Sequence, residues 1–235
     1  MTLRNSLACA ALMVLVSAQS IGQTTEAWLD YFATFIRGDW TFEANTGASK
    51  GWNGVSWTET YLTGNVTYQP LNWLTTEGNA ELHYTFNKEE EDVLEFRPWA
   101  GLSFIWPTFG EYLNLFYPLL SLRLEERFLS YQESGTTERK TRFRLRLMVR
   151  FLFNNETMMP GTYYLVGLVE DYVPIEGEAR EVSADRKRFQ LGLGYVVWTD
   201  TRVELQYILM RTRDSYANAF ENSSNIVWLS VRNFF

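Results

Sequence analysis

The sequence predicts an all-β fold, a closed antiparallel β-barrel that crosses a membrane with its strands. Three observations support this prediction. Alternation of apolar and polar residues recurs along the chain, aromatic residues reach 16% while charged residues still make up 21%, and the last alternating run stops at Phe235. Each strand of such a barrel places alternate residues against lipid and in the lumen, so no long window is uniformly apolar. A secreted β-sandwich is the main alternative, because one alternating strand fits both folds.

The N-terminal residues predict a secretory signal peptide over 1–22, which leaves residues 23–235 as one barrel domain. Arg4 precedes the apolar stretch Leu7–Val16, and small residues follow before Gln23, which is the order of regions in a signal peptide. A cut after Ala18 fits the same rules. The apolar stretch is shorter than the ~20 residues of a membrane-spanning helix.

The mature chain contains no cysteine, because Cys9 is the only cysteine in the sequence and lies in the signal peptide. An exported chain without disulfides needs another source of stability, such as closure of a barrel. We therefore expect this protein in the outer membrane of a bacterium with two membranes.

Strand candidates follow one another along the mature chain. They are Ala27–Ile36, Trp40–Thr46, Trp57–Tyr68, Trp73–Phe86, Val93–Trp106, Leu115–Ser130, Arg142–Phe153, Thr162–Tyr172, Arg188–Trp198, Val203–Arg211 and Ile226–Phe235. In the clearest run Phe143, Leu145 and Leu147 share one face and Arg142 and Arg144 share the other. Many runs exceed the five or six residues of ordinary strands, whereas an oblique membrane crossing takes ~9–11 residues.

The connections between these runs alternate between short and long, as in outer-membrane barrels. Short ones are predicted at Arg37–Asp39, Gln69–Asn72, Pro107–Glu111, Asn154–Gly161 and Thr199–Thr201, and longer ones at Gly47–Ser56, Asn87–Asp92, Gln132–Lys140, Pro174–Lys187 and Asp214–Asn225. Bacterial single-chain barrels normally have an even strand number and both termini on the periplasmic side. We therefore expect twelve strands, and ten also fit the length.

Aromatic residues near the predicted strand ends suit the two aromatic girdles of a membrane barrel. The candidates are Trp40, Trp57, Trp73, Trp106, Tyr172, Trp198 and Tyr216. Gly192 and Gly194 lie on the predicted lumen face, where we expect them to relieve crowding.

Several short segments of the mature chain resemble an uncharacterised outer-membrane barrel family, domain of unknown function 2490. The similar segments are Gln23–Trp28, Gly38–Phe42, Arg123–Phe128, Arg188–Tyr195 and Val203–Tyr207. The resemblance implies a barrel fold and an outer-membrane location. It implies no reaction, so no catalytic residue is assigned from it.

Charged residues on the lumen face form the candidate site. A hairpin that turns near Glu133–Glu138 would set Arg123, Glu125 and Arg127 beside Arg142, Arg144 and Arg146, with Arg150 on the same face. Further acids are expected from Glu81, Glu95, Glu204 and, less clearly because its strand does not alternate well, Glu170. These charges fit either a salt-bridged filling of the barrel or an arginine-lined constriction that attracts anions.

His83 is the only histidine, and it shares its face with Glu81. A histidine oriented by a carboxylate can act as a general base, so a lipid-acting outer-membrane enzyme is an alternative. Alternation, however, points His83 toward the lumen and away from a lipid substrate. One histidine and no mature cysteine exclude zinc-type ligand sets, and we expect no metal and no cofactor.

The expected surroundings follow from the predicted fold. We expect outer-membrane lipid and lipopolysaccharide around the barrel, and the barrel-assembly machinery as a partner during biogenesis, with Phe235 as its signal. The excess of acids, 28 against 21 basic residues, argues against nucleic acid, and we expect a monomer. The molecular role stays open between a narrow pore with an arginine-lined lumen, the lipid-acting enzyme, and a structural or adhesive barrel with partner-binding outer loops.

Overall fold

The computed structural model describes residues 24–52, 56–88, 90–106, 115–176, 186–214 and 219–235. The predicted signal peptide lies outside these ranges. The described residues form eleven β-strands. In these ranges there is no helix with the length and apolar character needed to traverse a bilayer.

The strands close into a single barrel in which consecutive strands pair antiparallel. Their bounds are β1 Thr24–Arg37, β2 Trp40–Trp52, β3 Trp57–Leu71, β4 Leu74–Asn87, β5 Val93–Ile105, β6 Phe116–Tyr131, β7 Thr137–Leu152, β8 Tyr163–Glu176, β9 Arg186–Trp198, β10 Thr201–Asp214 and β11 Ala219–Phe234. The predicted all-β closed barrel is confirmed.

The barrel closes through a parallel pair, β1 with β11, whose register runs from Thr24↔Ser224 to Thr34↔Phe234. The side-chain oxygens of Thr24 and Ser224 lie 2.7 Å apart, and the amide of Phe235 donates to the carbonyl of Thr34 at 2.8 Å. The eleven described strands differ from the expected twelve or ten, because the expectation of an even number assumes antiparallel closure. An odd number makes the first and last strands run the same way.

The two ends of the barrel differ. Residues 38–39, 72–73 and 199–200 make two-residue connections at one end, which we call the turn end; Gly38 has a φ of 59° there, a conformation that favours glycine. We call the opposite end the loop end. β1 begins at the loop end and β11 finishes at the turn end, so the two strands do not start and stop on one side as the sequence analysis expected.

The strands extend further toward the loop end than predicted. β2 continues to Trp52, β7 begins at Thr137 and β8 continues to Glu176, inside stretches that were expected to be long loops. The physical reason is that a hairpin ladder satisfies backbone hydrogen bonds beyond the apolar part of the wall as well as within it.

The outer face of the barrel carries an apolar belt. Leucines at alternate positions point outward, and Leu62 is 59% exposed although it lies in mid-strand. The outward leucines are Leu29, Leu62, Leu82, Leu102, Leu124, Leu145, Leu147, Leu191, Leu193, Leu205 and Leu229. A soluble sandwich buries this face, so the arrangement contradicts that alternative.

The belt ends toward the loop end where outward charges begin. Glu126 follows Leu124 on the outer face of β6, and its carboxylate accepts a hydrogen bond from Nε of Arg139 at 2.8 Å. This contact holds the pKa of Glu126 below its ordinary value. Both residues lie beyond the apolar belt, where water solvates charged side chains.

Aromatic side chains flank the belt at both ends. Trp40, Trp73, Trp106 and Trp198 are exposed at the turn end, as predicted, and Trp52, Phe86, Phe96 and Phe128 form a second set toward the loop end that the sequence analysis missed. Two girdle predictions are wrong: Tyr172 is buried on the inner face and Trp57 lies against Gly51 of the inner wall. In both cases strand alternation places the residue inside. Tyr216 lies outside the described residues.

We expect a charge placed in the belt to destabilise the barrel. Leu147→Arg puts a guanidinium at the centre of the outer face of β7, which costs about 2–4 kcal/mol at the bilayer midplane. Urea unfolding of the refolded protein in lipid vesicles measures this loss. Thr137→Arg, on the same outer face but beyond the belt, is the matched control and should change stability by less than about 1 kcal/mol. Equal losses for the two variants would contradict the assignment of the belt.

Candidate functional site

The β6–β7 hairpin brings the predicted rows of charged residues together on the inner wall. Its register pairs Arg123 with Arg144, Glu125 with Arg142 and Arg127 with Lys140. All these side chains face inward because they occupy alternate positions whose neighbours form the apolar belt. Arg146 lies one step further along β7, opposite Ser121.

Glu125 is fully buried, at 0% exposure, and is surrounded by arginines. Arg144 donates from Nη1 to Oε2 at 2.7 Å, and Arg142 contacts Oε1 through Nη2. Nε of Arg97 lies 3.5 Å from Oε1. One carboxylate therefore balances guanidinium groups from β5 and β7.

Glu170 is the second carboxylate with 0% exposure, although the sequence favoured it least. Its Oε1 accepts from Nε of Arg144 at 3.0 Å and from Nε of Arg146 at 3.0 Å. Its Oε2 accepts from the hydroxyl of Tyr172 at 2.8 Å, and Arg188 lies 4.0 Å away. Glu170 thus joins β7, β8 and β9.

Glu95 and Glu81 extend the same set of contacts to β4. Arg127 binds Glu95 through two nitrogens, Nε to Oε1 at 2.7 Å and Nη2 to Oε2 at 3.1 Å. Arg97 donates to Glu95 at 2.9 Å and to Glu81 at 3.2 Å. Trp99 donates from Nε1 to Glu81 at 2.8 Å. Two-point contacts between guanidinium and carboxylate are among the stronger hydrogen-bonded pairs.

His83 lies on the inner wall and is engaged on both sides. Nδ1 is 2.8 Å from Oε1 of Glu59 and Nε2 is 3.1 Å from Oε2 of Glu81. The ring is stacked on Tyr61, with centroids 5.1 Å apart. Because both nitrogens are occupied by carboxylates and the side chain is buried, this histidine does not reach the outer face of the barrel. Among the described residues no cluster of three or more His, Cys, Asp or Glu side chains could hold a metal ion.

We call these inner-wall charges the ion network: Glu81, Glu95, Arg97, Glu125, Arg127, Arg142, Arg144, Arg146 and Glu170. Buried ions cost several kcal/mol each unless they are paired, and the network supplies that pairing. The members of the network are not equally shielded from water. Side-chain exposure is zero at Glu125 but 19% at Arg146, and 22% at Glu59 beside the network. The central carboxylates are shielded from water, and side chains at the margins of the network keep part of their surface accessible.

Acidic residues on β1 and β2 are functional candidates that the sequence analysis missed. Oδ2 of Asp30 accepts from Nε1 of Trp228 at 2.6 Å, and the hydroxyl of Tyr61 donates to Oδ1. Glu43 accepts from Thr34 at 3.0 Å and contacts Arg232. Alternation could have found all of them, since each is flanked by outward-facing residues.

The remaining predicted residues lie toward the turn end. Arg150 is on the inner face of β7, and Glu204 accepts from the hydroxyl of Tyr164 at 2.7 Å and from Gln206 at 2.6 Å. The ring of Tyr164 occupies the space that a Cβ at Gly194 would fill, which explains that glycine. Gly192 leaves similar room for Gln206.

An apolar cluster narrows the turn end. Leu152, Tyr164, Val166 and Val196 form it, and Met158 packs against it. Met158 belongs to the connection between β7 and β8, which was predicted as one of the short connections, Asn154–Gly161. This segment packs against the cluster through Met158 and hydrogen-bonds Val196 of β9, and Thr162 within it is fully buried.

Comparison with known proteins identifies the family. A family profile described as "Protein of unknown function (DUF2490)" matches residues 25–221. The chain belongs to the DUF2490 family. The matched segment includes every residue of the ion network.

Two other comparisons add little to the DUF2490 match. No curated protein matches the chain significantly. Among solved structures, the NanC porin in a rhombohedral crystal form aligns with a TM-score of 0.44 and 13% sequence identity, covering 88% of this chain and 98% of that chain.

We expect Glu125→Gln to destabilise the barrel strongly. The change keeps the shape of the side chain but leaves Arg142 and Arg144 without their shared counter-charge, and breaking a buried ion pair costs about 3–5 kcal/mol. Unfolding by urea in lipid vesicles measures the loss. The matched control is Glu126→Gln, the next residue on the same strand, which removes the charge from the contact with exposed Arg139, leaves an amide oxygen to accept from Thr141, and should cost less than about 1 kcal/mol. A loss at Glu125 no larger than at Glu126 would contradict the role of the network.

Proposed function

We propose that this protein is an outer-membrane barrel that acts as a narrow passive pore for small hydrophilic solutes. The observation that carries the proposal is the contrast between the two faces of one closed wall. The outer face is an apolar belt between aromatic girdles, and the inner face is charged and reaches water at the margins of the ion network.

The membrane location rests on the outer face. Strands of 13–16 residues exceed the ~9–11 residues that an oblique crossing requires, so each strand is long enough to span. Tryptophans at the turn end suit the polar–apolar boundary, where an aromatic ring with a polar edge is favoured. We propose outer-membrane lipid and lipopolysaccharide as the surroundings and a monomer as the functional unit.

The terminal residue supports the proposed assembly route. Phe235 points outward at the turn end and stacks on Phe35 with ring centroids 4.9 Å apart. Its ring is therefore presented at the edge where β11 meets β1. We propose that the barrel-assembly machinery recognises this final strand before the seam closes.

The ion network sets the width of the pore. Long arginine and glutamate side chains from β5 to β8 extend into the lumen and are held by their mutual contacts. Around the paired residues Asn45 and Thr63, the inner faces of β2 and β3 carry smaller side chains, including Asn65, whereas Tyr61 and Trp57 of β3 lie nearer the loop end. We therefore infer a passage that is displaced toward β2 and β3 and admits only small solutes.

The two alternatives receive less support. A lipid-acting enzyme based on His83 needs that side chain at the lipid-facing surface, whereas its ring lies inside between Glu59 and Glu81. An adhesive barrel would bind a partner through outer loops such as 174–187, but residues 177–185 of that segment lie outside the described residues. The pore is therefore the function that the geometry of the inner wall favours.

A cysteine block tests the pore. The mature chain has no cysteine of its own if the signal peptide is removed, so Thr63→Cys would place a single thiol on the inner wall. We expect the purified protein to conduct ions in a planar bilayer, and a charged methanethiosulfonate reagent to reduce the conductance of this variant by about half or more, because it adds a bulky charged group to a narrow lumen.

The matched control is Leu62→Cys, the preceding residue on β3, which faces outward. The same reagent should leave its conductance unchanged. Absence of conductance in the unsubstituted protein would refute the pore. An equal response of the two variants would refute the proposed path along β3.

A further inference from the structure

We propose that the lumen selects zwitterionic solutes, small molecules that carry a carboxylate and an ammonium group, such as free amino acids. This inference rests on the proposed pore. It comes from the distribution of inner-wall charges around the barrel rather than from any single site.

One side of the lumen is acidic. The inner faces of β1 to β4 carry six carboxylates and no lysine or arginine among the described residues. We call this set the acidic wall: Glu26, Asp30, Glu43, Glu59, Glu77 and Glu81. Glu59 and Glu43 keep 22% and 18% of their side-chain surface exposed, so part of this wall is accessible to a solute.

The other side is basic. The inner faces of β6 to β9 carry nine lysine and arginine residues and three glutamates in the described ranges, an excess of six positive charges. We call this set the basic wall: Arg123, Arg127, Lys140, Arg142, Arg144, Arg146, Arg150, Arg186 and Arg188. The glutamates that partly balance it are Glu125, Glu138 and Glu170.

The two walls face each other across the lumen. In a ring of eleven strands, the centre of β1 to β4 lies opposite the centre of β6 to β9. The strands between them add one positive charge, since β5 contributes Glu95 with Arg97, β10 contributes Arg202 with Glu204, and β11 contributes Arg232, which contacts Glu43. Six negative charges on one wall therefore face six positive charges on the other.

One contact across the lumen and one along the wall show that the acidic wall and the basic wall are close. The guanidinium of Arg188 on β9 lies 5.4 Å from the ring of Trp28 on β1. Along the wall, Nη2 of Arg123 on β6 lies 3.8 Å from Oε2 of Glu77 on β4, over the single strand β5 that separates them. A small solute between the walls would therefore be within reach of both signs of charge.

This arrangement creates a field across the pore instead of a net potential along it. A net potential concentrates ions of one sign, which is the anion-attracting constriction that the arginine rows alone suggested. Two walls of opposite and nearly equal charge do not concentrate ions of either sign. They favour a solute whose carboxylate is taken by arginine forks while its ammonium group faces the carboxylates, because such a solute replaces its lost hydration on both sides.

Two isomers with the same formula provide the test. Glycine is a zwitterion, and glycolamide is its uncharged isomer of nearly equal size. In proteoliposomes that contain the purified protein, we expect swelling in glycine to be about fivefold faster than in glycolamide, the ratio that one favourable charge contact in water produces. In a bilayer under a KCl gradient, we expect a reversal potential near zero, because the lumen carries little net charge.

A pair of variants connects the selectivity to the acidic wall. Glu43→Gln combined with Glu59→Gln should slow the swelling in glycine toward the rate in glycolamide, while the glycolamide rate stays unchanged. Mere distortion of the pore would slow both solutes. Thr60→Gln, on the outer face beside Glu59, is the control and should alter neither rate.

The outcomes separate the two proposals. No swelling with any solute refutes the pore itself. Equal rates for the two isomers, or a strongly anion-selective reversal potential, overturn the inference and leave the pore standing. Because the isomer comparison and the reversal potential use the unsubstituted protein, a failure of the double variant to fold does not remove the test.

Discussion

The structure depends on the pairing of arginines with a few shared carboxylates inside the barrel. The outer face is apolar along the belt, so the charges of this part of the strands are directed inward, where neighbouring guanidinium groups would otherwise repel one another. Glu125 and Glu170 each contact arginines from more than one direction. A closed wall with a charged interior is stable only because these contacts connect adjacent strands as well as neutralise them.

Alternation along the sequence was sufficient to predict the fold and most of the inner wall. It placed Arg123, Glu125, Arg144 and His83 inside, where the structure has them. Successive side chains of a strand point to opposite faces, so a short stretch of sequence is enough to assign each residue to a face. Alternation was weak for Glu170 and misplaced Tyr172, since β8 has Val166 and Leu168 on its inner face. Val166 belongs to the apolar cluster at the turn end, whereas Glu170 on the same face belongs to the ion network. The inner face of β8 is therefore apolar in one half and charged in the other, so its alternation of apolar and polar residues is hard to recognise.

Features that depend on strands far apart in the sequence could not be predicted from alternation. The acidic wall consists of single carboxylates scattered over four strands, each unremarkable until the barrel closes and brings them to one side. The strand number and the parallel direction of closure could not be predicted for the same reason. They depend on how β1 meets β11, and no turn between these two strands records their register in the sequence.

The parallel seam has a consequence for how the ring is completed. Thr24 and Ser224 are 200 positions apart in the chain, so the last ladder forms without a local tether and with the largest loop-closure cost of any pair. Antiparallel first and last strands could be linked by a two-residue turn. Here β1 begins at the loop end, β11 finishes at the turn end, and the two strands pair over eleven residues, so the start of β1 and the finish of β11 lie at opposite rims. A circular permutant would need a linker as long as the paired strands, about 33 Å at ~3.3 Å per residue, and tags fused to the two ends would emerge at opposite rims of the barrel.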